Sequence, residues 1–247
     1  MPGAPITVDY MVRYDDIDFT NKAFLPAIIN YFTDLATLQA FNVGLDVDTL
    51  KTRNRGWVIC QWDIDIDRLP TYNETISVTT IPYSFKKFFA FRLFTIKDAK
   101  GNTIIRGKSK WMLIDTEKRA PVRLTHEDLL AFKVSEGDDE IIEVTKPSKV
   151  KEFSIDSVFD VRYADIDTNN HVNNSKYITW ALETLDIDFL GSHVPSNVKI
   201  LYGKEKRYGG SIHSKAEVTQ EETNTHTYHA ICDENDLHLC DIEILWN

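Results

Sequence analysis

"DIDTNNHVNN", Asp165 to Asn174, packs two aspartates, four asparagines and a histidine into ten residues just ahead of a helical pattern. The chain supplies its own comparison. Near its start it reads "VRYDDIDFTNKAF" (Val12–Phe24), and later "VRYADIDTNNHVN" (Val161–Asn173). The frame is the same, but Asn169 and His171 stand where the first copy has Thr20 and Lys22. A feature kept in both copies, such as Asp-Ile-Asp, reads as architecture, because short polar side chains cap turns. A feature present in only one copy reads as chemistry.

The repeat extends outward from this frame. After the first copy, Ile28, Tyr31, Phe32, Leu35, Leu38 and Gln39 recur at helical spacing, which predicts an amphipathic helix over 26–42. After the second, "SKYITWALETLDIDFL" does the same through Ile178, Ala181, Leu182, Leu185 and Phe189, with Asn173 or Asn174 as N-cap. Strands are expected near 56–68, 74–84, 87–98 and 102–115, and again near 196–208, 211–221, 225–233 and 236–246. A single helix with an apolar face needs a sheet to bury it. The expected fold is therefore α+β: two tandem halves, each a long helix wrapped by an antiparallel sheet, joined into one continuous sheet. The expected boundaries are residues 1–133 for the first half, 134–150 for a charged, proline-containing linker, and 151–247 for the second.

Bulk properties narrow the classes. The 247 residues are 43% hydrophobic and 27% charged, an ordinary globular composition. Net charge is −10, which disfavours nonspecific nucleic-acid binding. No apolar run is long enough to span a membrane, and the start lacks the basic and apolar segments of a secretory signal. Cys60, Cys232 and Cys240 have no metal or redox spacing, so a reduced, cytoplasmic setting is expected. His226 and His229 lie three apart on an expected strand and point to opposite faces, so no shared metal is expected.

A carboxylate joins the candidate set from a second comparison. In the first half, Cys60, Trp62, Ile64 and Ile66 alternate onto one face. Anchoring Arg68 on Arg207 matches Trp62 with Leu201 and Ile66 with Glu205, which places Glu205 at a core position and Lys206 outward. A lone inward carboxylate costs several kcal/mol, so it calls for a function. A slip of one residue would turn it to water instead. A histidine, a carboxylate and an asparagine amide can together activate water and stabilise an oxyanion. No G-x-S-x-G or glycine-rich phosphate loop is present.

"DIDTNNHVNNSKYITWALE" (Asp165–Glu183), with "WMLID" (Trp111–Asp115) and "KEKRYGG" (Lys204–Gly210), resembles the acyl-acyl carrier protein thioesterases of plants and bacteria along the whole chain. The resemblance implies a double hotdog fold and hydrolysis of the thioester that joins a fatty acyl chain to carrier protein, releasing free fatty acid and ending elongation. It carries catalytic positions onto Asp167, Asn169, His171 and Glu205. Plant members have a cysteine directly after that glutamate, once assigned as a nucleophile; here the position is Lys206, so water must attack. Plant members also carry an N-terminal targeting extension, which this sequence does not show, so the bacterial type is the expectation.

The expected roles follow. Glu205 with His171 activates water, Asn169 holds the water or the carbonyl, and Asp167 orients the group. A backbone N–H near the start of the second helix completes an oxyanion site. No metal or cofactor is implied. The first half would supply an acyl-chain pocket from Trp57, Trp62, Phe85, Phe88 or Phe89, and Lys176, Lys199, Lys204, Lys206 and Arg207 a docking patch for acyl carrier protein. An acyl-coenzyme A substrate, a non-catalytic acyl-binding role and a homodimer stay open.

Overall fold

A computed structural model describes residues 2–135 and 142–247. The first half contains β1 (Ile6–Met11), α1 (Leu25–Asn42), α2 (Val47–Thr52), β2 (Arg55–Ile66), β3 (Thr75–Lys86), β4 (Phe89–Lys97), β5 (Thr103–Asp115), β6 (Ala120–Pro121) and α3 (His126–Ala131). The second contains β7 (Ile155–Asp160), α4 (Asn174–Glu183), α5 (Ile187–Ser192), β8 (Pro195–Tyr202), β9 (Ser211–Gln220), β10 (Thr225–Asp233) and β11 (His238–Trp246). All strands join one antiparallel sheet in the order β1-β3-β4-β5-β2-β8-β11-β10-β9-β7, with β6 paired to β5. The path runs outward from the β2–β8 pair through the same succession of strands in each half. No described helix is long and apolar enough to cross a membrane.

One core fills the inner face. Phe32 and Leu35 of α1 meet Trp62, Ile64 and Ile66 of β2, while Ile178 and Ala181 of α4 meet Val198 and Ile200 of β8, all in one cluster. Trp62 is fully buried, with ring centroids 5.7 Å from Phe32 and 5.2 Å from Phe94. Gly107 gives Phe32 its space, since a Cβ there would lie 2.7 Å from the ring. The other face of the central strands is strapped by the described part of the linker. Thr145 N donates to Asp63 Oδ2 at 3.2 Å, and Ser148 N to Glu243 Oε2 at 2.6 Å. Residues 136–141 of the expected linker lie outside the described residues.

Four local expectations need correcting. The helix expected to run on to Phe189 breaks after Glu183, because Asp186 caps a new turn by accepting from Asp188 N at 2.8 Å. Cys60 leaves the inner face, because a bulge between Ile59 and Gln61 puts Ile59 in the core instead. The strand expected over 196–208 ends at Tyr202.

The fourth correction concerns register between the halves. Ala23 N donates to Pro70 O at 2.7 Å, and Val172 N to Lys206 O at 2.8 Å. Val12 N reaches Glu74 O at 2.9 Å, and Val161 N reaches Gly210 O at 3.0 Å. Both pairs of bonds set Lys206 against Pro70, so Glu205 corresponds to Leu69 and Tyr202 to Ile66. Trp62 then matches the inward Val198; Leu201, its expected match, is only partly buried. The chain beyond Tyr202 is a loop, in which strand alternation no longer dictates direction. Lys206, expected outward, is instead 8% exposed and paired through Nζ with Glu234.

Candidate active site at the junction of the halves

Residues 165–173 form a tight loop closed by an isolated bridge between Ile166 and Val172. Asp167 N donates to His171 O at 2.8 Å, and Asp167 Oδ1 accepts from Asn169 N at 2.8 Å and His171 N at 3.3 Å. Asn170 completes the turn at φ 61, a left-handed conformation that asparagine tolerates. The first copy is built alike. Asp18 Oδ1 accepts from Thr20 N at 2.8 Å and Lys22 N at 3.4 Å, with Asn21 at φ 63. The repeated aspartate thus builds the loop, and the residues at the Asn169 and His171 places are free to differ.

Behind the loop, Asp165 is completely buried. Burial alone would raise its carboxyl pKa. Hydrogen bonds from Arg162, with the Arg162 and Lys176 charges, outweigh that and hold it below the usual range. Asp165 O accepts from Asn173 N at 2.8 Å, and Asn173 Oδ1 caps α4 by accepting from Ser175 N at 3.0 Å, as expected. Lys176 N also donates to Asn173 O, so these two N–H groups at the start of α4 are engaged. The expected oxyanion donor is therefore neither of them.

Tertiary structure brings Glu205 to this loop. His171 Nε2 lies 3.4 Å from Glu205 Oε2, with side chains 18% and 26% exposed. Asn169 is exposed on the same loop. The first half contributes two cations that nothing in the sequence pattern marked. Arg119, in the turn between β5 and β6, donates through Nη2 to Glu205 Oε2. Lys51 of α2 donates through Nζ to Thr168 O at 3.3 Å.

The two auxiliary sets are dispersed. Trp62 is sealed in the core, Phe88 is 36% exposed, and Phe89 lies under Lys110 Nζ at 3.9 Å from the ring centroid. Trp57 and Phe85 border two small satellite clusters, one holding Leu45, Leu50, Phe132 and Val134 and the other Ala90, Leu113 and Leu124. Cavities of about 160 and 230 Å³ lie at Phe85–Leu124 and at Gln39–Phe132, neither lined by the His171 loop. Of the expected docking residues, Lys199 is engaged by the buried Glu243 at 2.9 Å and Lys206 is buried. A lysine committed to an internal carboxylate is not available to a partner. Lys176 is half-buried beside Asp165, while Lys204 and Arg207 remain exposed.

Residues 4–132 match the family profile described as acyl-ACP thioesterase N-terminal domain, and residues 148–247 that of the C-terminal domain. An oleoyl-acyl carrier protein thioesterase 2 of Arabidopsis thaliana, chloroplastic, is 26% identical over 215 residues, which cover 79% of this chain and 58% of the relative. A chloroplastic dodecanoyl-acyl-carrier-protein hydrolase of Umbellularia californica is 26% identical over 209 residues, covering 79% and 55%. This chain thus spans less than two thirds of these relatives' length. A crystal structure from Lactobacillus plantarum, provisionally described as an oleoyl thioesterase, superposes with TM-score 0.94 at 27% identity, covering 99% of this chain and 96% of that one. An acyl-ACP thioesterase from Bacteroides thetaiotaomicron shares the fold, with TM-score 0.84 at 22% identity and 98% coverage of both chains. The two profiles together take in nearly the whole chain, including the His171 loop, and the chain belongs to the acyl-ACP thioesterase family.

Proposed function

We propose that the protein hydrolyses the thioester of fatty acyl groups carried on acyl carrier protein, releasing free fatty acid and ending chain elongation. The observation that carries this reading is the approach of Glu205 to His171 across a loop built by Asp167. Water gives a proton to the Glu205 carboxylate, and the resulting hydroxide attacks the thioester carbonyl. Asn169 steadies the developing oxyanion, with His171 beside the same carbonyl. When the C–S bond breaks, the proton held by Glu205 passes to the departing sulfur, so the products are an acid and a thiol. Two hotdog-type halves in tandem, the first housing the acyl chain and the second the chemistry, are part of this reading.

A thiol nucleophile has no support. Burial pushes the Cys60 thiol up to about 11 and Cys240 well above its usual range, and Cys232 is raised too, again chiefly by burial. The thiolate is the nucleophile, and these thiols hold their protons at neutral pH. Unpaired thiols also suit a reducing, cytoplasmic compartment. Hydrolysis of acyl-carrier proteins of several chain lengths, beside the same acyl groups on coenzyme A, tests the proposal. We expect free acid from at least one carrier-protein substrate, at higher kcat/KM than from its coenzyme A counterpart. No release from any carrier-protein substrate would refute it.

A further inference from the structure

Arg119 is delivered to Glu205 by a well-braced turn. Asp115 Oδ1 accepts from Glu117 N at 3.0 Å and Lys118 N at 2.8 Å, and Arg119 follows at φ 51. A non-glycine residue in the left-handed region is uncommon and costs energy that the surroundings must offset. Here that backbone aims the guanidinium out of the first half and onto a carboxylate of the second. The contact falls on Oε2, the oxygen that also faces His171 Nε2. Every described contact of the Glu205 carboxylate is on this oxygen, from two sides.

We propose that Arg119 is a positioning residue for the reaction: with His171 it fixes Glu205 Oε2, so that Oε1 is the oxygen presented to the attacking water. The inference rests on the reading of Glu205 as the base. A carboxylate on a loop, 26% exposed, has several rotamers in reach. An Arg fork restricts them better than a lysine could, because the guanidinium is planar and its N–H directions are fixed. The first half then supplies a working part of the site, and Lys51 on Thr168 O braces the loop from the same side.

The test uses the full chain and an acyl-carrier protein that the native protein hydrolyses, with Arg119→Ala, Arg119→Lys, Glu205→Gln and the Arg119→Ala/Glu205→Gln double variant. Arg119→Ala should lower kcat about 10–100-fold, the scale of a misplaced catalytic group, with KM within a few-fold. Arg119→Lys should fall between it and the native protein. Added guanidinium or methylguanidinium at millimolar, non-denaturing concentration should restore part of the Arg119→Ala rate, since the site is 54% exposed at Arg119. It should not restore Glu205→Gln. The double variant should be no slower than Glu205→Gln alone. A native kcat in Arg119→Ala, a rise in KM alone, or losses that multiply in the double variant would each overturn the inference. Should Glu205→Gln keep native turnover in an active protein, the assignment of the base fails instead, and the two failures are told apart.

Discussion

Leu69 and Glu205 occupy equivalent places in the two halves. Each precedes the residue whose carbonyl takes the N–H of Ala23 or Val172, yet Leu69 is 7% exposed in the core and Glu205 lies 3.4 Å from His171. One half kept an apolar residue there and the other placed a charge. Glu205→Gln keeps the shape and removes the base, so single-turnover hydrolysis should slow by about 10²–10⁴-fold. Glu205→Leu, which copies the first half, should be equally slow with an undiminished melting temperature. Native rates in either variant would remove Glu205 from the chemistry.

Lys22 and Thr20 share the loop geometry of His171 and Asn169, but Leu69 stands where the second half has Glu205, and the Thr20 hydroxyl donates to Asp18 Oδ1 at 2.6 Å. Lys22→Ala should leave turnover within a few-fold, while His171→Ala lowers it strongly. Equal losses would mean that the first half also carries chemistry.

Lys206 points inward in this fold, which predicts a part in stability rather than in docking. Its side chain is 9% exposed, and Glu234 is 40% exposed. The half-exposed ion pair is worth little by itself, but the buried stem packs. Lys206→Ala should cost about 1 kcal/mol in urea unfolding, and Lys206→Met should recover most of it. KM for carrier-bound substrate should stay put; a raised KM with unchanged stability would return Lys206 to the docking surface.

His229 gives the stability a pH signature. It is fully buried, with Nε2 3.0 Å from Thr227 Oγ1, and burial pushes its pKa down to about 3. The unfolded chain takes up this proton near pH 6.5, and the folded chain resists it. Its stabilising contribution is complete above about pH 6.5 and is lost as pH falls toward 3, by at most about 1.4 kcal/mol per unit. Urea unfolding at pH 7.5 and pH 5 should show that loss in the native protein and less of it in His229→Gln. Equal pH slopes would mean that His229 does not control this titration.

Much of the architecture was legible because it rests on local periodicity. The apolar spacing in α1, the N-cap Asn173 and the alternation of strands are written in adjacent residues. Apolar spacing does not show the break before α5, because Asp186 acts as a cap inside an otherwise continuous apolar pattern. Comparison of the two copies singled out Asn169 and His171, and the family resemblance added their roles. Matching the halves at Arg68 and Arg207 sets the register three residues out; that match leads to Glu205 but turns Lys206 outward, where the structure has it inward.

The twofold repeat, the aspartate-built loops and the asymmetry between Lys22 and His171 are readable from residue order alone, since these depend on spacings within a turn or a helix. The company Glu205 keeps depends instead on how the folded chain packs. The chain leaves the sheet at Tyr202, and Val172 N captures Lys206 O, which turns Lys206 inward and Glu205 toward His171. Arg119 joins them from the other half. No spacing rule links residues so far apart along the chain. Their meeting follows from β2 pairing with β8, where hydrogen bonding and burial over the whole sheet set the distance.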